Sequence, residues 1–177
     1  MLKASFIGID QFKSRIESAK KEIKDEVDAE VMAAAMEFAG LAKRDLNSQP
    51  GYRGVLKNSI QIEKQGDMAY RVYTDVFYAP FIEFGTKSKF VAQTGFEEEA
   101  AQFRGLRGSG AVKLIDAITE WVRVKGIATG KEINRVSFLI ARSIYKNGIS
   151  PQPFFYKHVA PVRENLNKRL KAIFDGI

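Results

Sequence analysis

Apolar side chains recur at steps of three and four through the first quarter of the chain: Phe12, Ile16, Ala19, Ile23, Val27, Val31, Ala34, Phe38 and Leu41. That is the period of one face of an α-helix. Asp10 stands where an N-cap accepts a backbone N–H, and Asn47-Ser48-Gln49-Pro50-Gly51 stops the pattern after Leu46. Lys20, Lys21, Glu22, Lys24, Asp25, Glu26 and Asp28 lie mostly off the face and mix both signs. A helix of about 35 residues at ~1.5 Å each is a rod of ~50 Å, longer than a small domain. Part of its stripe is expected to pack on a sheet; the rest either meets another subunit or belongs to a plain core helix.

The period then changes to two. Ser59-Ile60-Gln61-Ile62-Glu63-Lys64 alternates, Gln65-Gly66-Asp67 is a turn signal, and Tyr70, Val72, Thr74 and Val76 alternate against their neighbours. The pattern predicts a half-buried β-hairpin. Tyr78-Ala79-Pro80-Phe81-Ile82-Glu83-Phe84-Gly85-Thr86 reads as one or two helical turns. Pro80 suits the first turn and Gly85 the left-handed residue that closes it. The turn carries an apolar tip of Phe81, Ile82 and Phe84, expected to be exposed for contact with a neighbour.

Residues 87–110 are rich in glycine at Gly105, Gly108 and Gly110 and predict a mobile loop. A second helix carries Val112, Ile115, Ile118 and Val122 on one side, with Trp121 beside them and Gly126 as its stop. A third runs from about Lys131 to Asn147, with Ile133, Val136, Ile140 and Ile144 inward and Gly148 closing it. Ile149-Ser150-Pro151-Gln152-Pro153 is an extended linker, because a residue before proline is pushed out of the helical region. The tail repeats the helical period at Phe155, Val159, Val162, Leu166, Leu170 and Ile173. Pro161 either starts this helix or kinks it. The fold class that results is α+β: a long N-terminal helix on a small antiparallel sheet, an inserted helical pair and a C-terminal helix. The 177 residues read as a single domain, with the insertion at about 87–148.

Composition narrows the chemistry. The chain has no Cys, which excludes disulfides, thiolate metal sites and cysteine nucleophiles, and a single His, which excludes a multi-histidine site. His158 is a general base only with an orienting carboxylate and a nucleophile beside it, and its neighbours are Lys157 and Val159. Gly105 and Gly110 have phosphate-loop spacing, but Ala111 follows where that loop needs Lys. Glu97-Glu98-Glu99 lacks the ligand spacing a hard cation wants, and Glu83 is one carboxylate without a visible partner. The reading is therefore no catalytic residue, no cofactor, no metal and no enzyme. No apolar run approaches the ~18 residues of a membrane span, and no signal-peptide core follows Met1, so the chain is expected to be soluble and to begin in a cytoplasm.

The net charge is +7. Half of the 28 basic residues lie between positions 104 and 171, against four of the 21 acidic ones, so the positive field belongs to the second half. Arg104, Arg107, Lys113, Arg123 and Lys125 are the DNA-facing candidates, for non-specific contact with phosphates. A non-specific DNA-binding protein is the alternative function.

Three segments carry a family resemblance. Gly54-Val55-Leu56-Lys57-Asn58-Ser59-Ile60 leads into the first strand, Tyr78–Thr86 supplies a Glu-Phe-Gly-Thr turn, and Pro151-Gln152-Pro153-Phe154-Phe155 precedes the last helix. In this order they resemble the tail-component (tail-completion, head–tail joining) proteins of long-tailed bacteriophages. The resemblance covers roughly residues 8–86 and 149–175. About 60 residues separate the second and third motifs, where compact members have a short loop. The resemblance implies a small structural subunit of the virion without enzyme activity, assembled in the host cytoplasm. It implies a homo-oligomeric ring, commonly sixfold, at the junction of tail and capsid, with tail-tube or connector proteins as partners. Phe81, Ile82, Glu83, Phe84, Gly85 and Thr86 are the subunit-interface candidates.

Overall fold

The computed structural model describes residues 2–6, 21–48, 54–104 and 110–175. In chain order the elements are β1 (Leu2–Phe6), α1 (Lys21–Ser48), α2 (Val55–Asn58), β2 (Gln61–Gly66), β3 (Ala69–Thr74), α3 (Ala79–Phe84), α4 (Glu97–Ala101), α5 (Gly110–Val124), α6 (Glu132–Asn147) and α7 (Val159–Asp175). Single 3-10 turns stand at Lys87–Lys89 and Tyr156–His158. The class is α+β, as the periodicities predict. The chain divides into two compact units, one of Met1–Val76 with Phe154–Ile177 and one of Phe77–Pro153.

The first unit is a helix pair on a three-stranded sheet. The strand order is β1-β3-β2, antiparallel throughout, with Leu2 opposite Thr74 and Ile62 opposite Val72. Tyr70, Val72 and Thr74 of the central strand are buried, in the predicted alternation. The long helix lays Val27, Val31, Ala34, Phe38 and Leu46 into the core. Val162, Leu166 and Leu170 of α7 are buried too, and Phe38 meets Phe155 edge-on at 4.8 Å. Aromatic side chains of this size dominate core energetics.

Charged side chains fix how α1 meets its neighbours. Asp28 accepts from Lys64 Nζ at 2.7 Å, from the Tyr70 hydroxyl at 2.9 Å and from the Met68 backbone N–H at 3.1 Å. The hairpin turn is thereby pinned to the helix, with Met68 held at a φ of 52°. Burial pushes the Asp28 carboxyl up, but the three hydrogen bonds outweigh it and hold the group below its ordinary value. Asp45 repeats the arrangement. Its burial is outweighed by Lys157 Nζ at 2.7 Å and His158 Nε2 at 2.6 Å, and its carboxyl is held low. Arg169 of α7 lies 2.8 Å from Glu30 and 3.1 Å from Glu37 of α1.

Three features depart from the sequence reading, and at Pro161 one of its two alternatives holds. β1 was not foreseen, although Leu2, Ala4 and Phe6 alternate with Lys3 and Ser5. The motif at Gly54–Ile60 leads into the strand through a helical turn, Val55–Asn58, and the strand begins at Gln61 rather than Ser59. No residue of β2 is buried: it is an edge strand, and burial ends at Ile60 just before it. Pro161 falls in the first turn of α7, where its missing N–H leaves nothing unpaired, so the helix starts there and is not kinked. The predicted helix residues 10–20, including Asp10, Phe12, Ile16 and Ala19, lie outside the described residues.

In the second unit α5 and α6 form the predicted helical pair. Ile118, Val122, Ala128 and Ala141 make a small core, with Trp121, Ile133, Val136, Ile140 and Ile144 packed on it. Ile115, expected inward, is exposed. The stretch expected to be a mobile loop is structured over residues 87–104. Glu97, Glu98 and Glu99 form the first turn of α4, where carboxylates favour the positive end of the helix. Phe90 and Phe103 each bring a ring within 6.0 Å of Phe84. Residues 105–109 lie outside the described residues.

Candidate functional site

The Glu-Phe-Gly-Thr turn is the one segment singled out by both its apolar content and its resemblance, and its environment is in the second unit. α3 begins at Ala79 with Pro80 in its first turn and ends at Gly85, which has a φ of 72°. A six-residue helix leaves its last carbonyls without intrahelical partners. Here the last three find one. Ile82 O accepts from the Gln152 N–H at 2.8 Å, Phe84 O accepts from the Val91 N–H at 2.8 Å, and Glu83 O accepts from Gln93 Nε2 at 3.3 Å.

The chain then doubles back on itself. Thr86 N–H donates to Ile149 O at 3.0 Å, and Ile149 N–H donates to Thr86 Oγ1 at 2.8 Å. Two glycines make the approach possible. A Cβ on Gly85 would stand 2.8 Å from Ile149 O and from Lys89 O, and one on Gly148 would stand 2.6 Å from Thr86 O. The second and third sequence motifs, some 65 positions apart, are therefore one clasp, and residues 87–148 leave and return through its closed base. Lys87 Nζ lies 4.6 Å from the Tyr145 ring centroid beside that base.

The interface candidates divide. Ile82, Glu83, Phe84 and Gly85 are buried, while Phe81 and Thr86 are half-buried. The apolar tip is thus mostly inside the second unit, because Phe84 fills the space between Phe90 and Phe103. Phe81 alone of its three large side chains keeps substantial exposed surface.

Among the DNA-facing candidates, Arg104 is exposed with its guanidinium 5.8 Å from the Phe90 ring. Arg123 and Lys125 are exposed at the end of α5 and just beyond it, and Arg123 pairs with Glu120. The Lys113 side chain and all of Arg107 lie outside the described residues. Sequence reasoning missed the partners of the clasp, Val91 and Gln93, and the carboxylate beside His158. The first two lie in a segment without period. Asp45 lies 113 positions from His158, and nothing in sequence links them. With Asp45 on its ring nitrogen and Phe38 edge-on at 6.5 Å, His158 serves as a tie between α1 and the turn before α7.

Among the described residues no group of three or more His, Asp or Glu could hold a metal ion, and no helix is long and apolar enough to cross a membrane. No curated protein and no solved structure matches the chain. Residues 10–85 match the family described as "Bacteriophage HK97-gp10, putative tail-component", and the first half of the chain, from the long helix to Gly85, is thus similar to a family of structural components of bacteriophage tails.

Proposed function

We propose that this protein is a structural virion subunit that acts in tail completion or head–tail joining and assembles as a ring, commonly sixfold, against tail-tube or connector proteins. The observation that carries the reading is the family match over residues 10–85, which spans the long helix, the hairpin and the Glu-Phe-Gly-Thr turn up to its glycine. The clasp adds support, because it joins that turn to the Pro-Gln-Pro segment that resembles the same family. No bond is made or broken in this role. Of the six interface candidates, Phe81 and Thr86 supply contact surface, and Ile82, Glu83, Phe84 and Gly85 hold them in place.

The test is a phage carrying a deletion of the gene. Heads and tails are expected to accumulate unjoined, with labelled protein restored from a plasmid found at the head–tail junction by electron microscopy. Particles that mature normally without the gene overturn the reading. Phe81→Asp is expected to leave a folded chain by circular dichroism and to block joining; a variant that fails to fold would place Phe81 in the core instead.

The second reading, non-specific contact with DNA, draws on exposed Arg104, Arg123 and Lys125 and on the basic skew of the second half. It predicts binding to any duplex with an affinity that falls steeply as salt rises. Anisotropy titrations that detect no binding at low salt remove it.

A further inference from the structure

The outer face of α1 carries charge only at its ends. Between Glu26 and Lys43 its exposed residues are Ala29, Met32, Ala33, Met36 and Gly40, all uncharged. Met32 and Met36 stand one turn apart and are 45% and 56% exposed. The acidic residues nearer the core side, Glu30 and Glu37, are taken by Arg169. Asp25 and Glu26 are exposed at the N-terminal end of the face, with Lys43 half-buried and Arg44 exposed at the other. None of these four forms an ion pair among the described residues.

We propose that this face is a docking surface for the same face of a second copy of this chain, paired antiparallel about a two-fold axis. The charge pattern selects both the occupant and its direction. Antiparallel pairing centred between Ala33 and Met36 sets Asp25 and Glu26 of each copy opposite Arg44 and Lys43 of the other. Parallel pairing sets like charges together at both ends, which is repulsive. The two charged ends are ~27 Å apart at 1.5 Å per residue, beyond the screening length of physiological salt, so each acts alone. The same register sets Met36 against Ala33 and Ala29 against Gly40. Met36, the more exposed of the two methionines, thus meets a small side chain, as the interdigitation of packed helices favours, and Met32 meets Glu37, whose charge Arg169 already pairs. Flexible, polarizable methionine suits a face that is solvated until it pairs. A two-fold interface repeats each contact twice, so four charge pairs follow from four residues.

One helix face buries less than the roughly 1,200–2,000 Å² of a stable complex, so the pairing is weak and concentration-dependent. The inference does not rest on the tail-assembly reading. A chain that is monomeric at every concentration yet still joins tails to heads overturns the pairing alone.

The test uses the full chain in analytical ultracentrifugation, over a series reaching about 100 µM, the range of weak complexes. The mass is expected to rise from 19.9 kDa toward twice that value. Met36→Glu, and separately Asp25→Lys with Glu26→Lys, are expected to hold it at the monomer. Adding Lys43→Glu and Arg44→Glu to the second variant restores the rise, because the complementarity is rebuilt with reversed sign. Absence of cysteine makes a direct check clean. A mixture of Ala29→Cys and Gly40→Cys chains cross-links on oxidation, while Ala29→Cys alone does not. A monomeric wild type, a dimer untouched by Met36→Glu, failure of the four-residue reversal to restore association, or cross-linking of Ala29→Cys with itself overturns the proposal.

Discussion

Asp28 holds three donors at once, and each comes from a different part of the hairpin: the edge strand, the turn and the central strand. Asp28→Ala leaves the Met68 N–H and the Tyr70 hydroxyl without their acceptor. The expected cost is about 1–3 kcal/mol, the penalty of orphaning partly buried donors, read as a lower urea midpoint at unchanged slope. The effect has a pH sign. Folding lowers this carboxyl from its ordinary 3.8, so the stability it gives is complete above that value and is lost as pH falls through the folded value. The gap between wild type and variant is therefore constant near neutrality and shrinks below about pH 4. Gly85 makes a second prediction at this scale. Gly85→Ala forces a Cβ to 2.8 Å from two carbonyl oxygens at a φ of 72°, and a loss of about 2–3 kcal/mol is expected, since both strain and overlap act together. The sequence motif announced this glycine as a helix stop. It did not announce why the position tolerates no side chain, because Ile149 and Lys89 reach it only through the fold.

At the scale of elements, legibility followed local period. The stripes of α1, α5, α6 and α7 and the alternation of β3 could be read because each buries one continuous face. β1 has five residues, too few for its alternation to stand out, and gains its identity from pairing with β3 across 64 to 72 positions. β2 has the alternation without the burial: it pairs with β3 on one side only, and all six of its residues are exposed. The α5–α6 pair was legible for the opposite reason, being local in sequence and closed by its own small core. Val122→Ala removes two methyl groups from the centre of that core, where Val122 is fully buried. A loss of about 1–2.5 kcal/mol is expected for a cavity of this size. Hydrogen exchange is expected to accelerate over α5 and α6 and to stay unchanged over α1 and α7. Acceleration spread evenly across both pairs would show that the two units unfold as one.

At the scale of the whole molecule, the boundary of the family match and the geometry of the chain coincide. The match ends at Gly85, and Thr86 and Ile149, the residues that flank positions 87–148, exchange hydrogen bonds at 3.0 and 2.8 Å. Some 60 residues thus leave and re-enter the chain at points a short turn can bridge. Replacing residues 87–148 by a two- to four-residue turn closes that gap without displacing either end. It also strips Phe90 and Phe103 from Phe84, so Phe84→Ser belongs in the same variant to avoid exposing a large ring. The shortened chain is expected to keep the exchange protection of α1, β3 and α7, because their core of Val31, Phe38, Val72, Phe155 and Leu166 lies wholly in the first unit. Its ability to complement the gene deletion then separates two roles. Complementation would mean that the helical pair is dispensable for joining, whereas a folded but inactive chain would place an essential contact between residues 87 and 148. Loss of protection throughout would show that the first unit depends on the second for its fold.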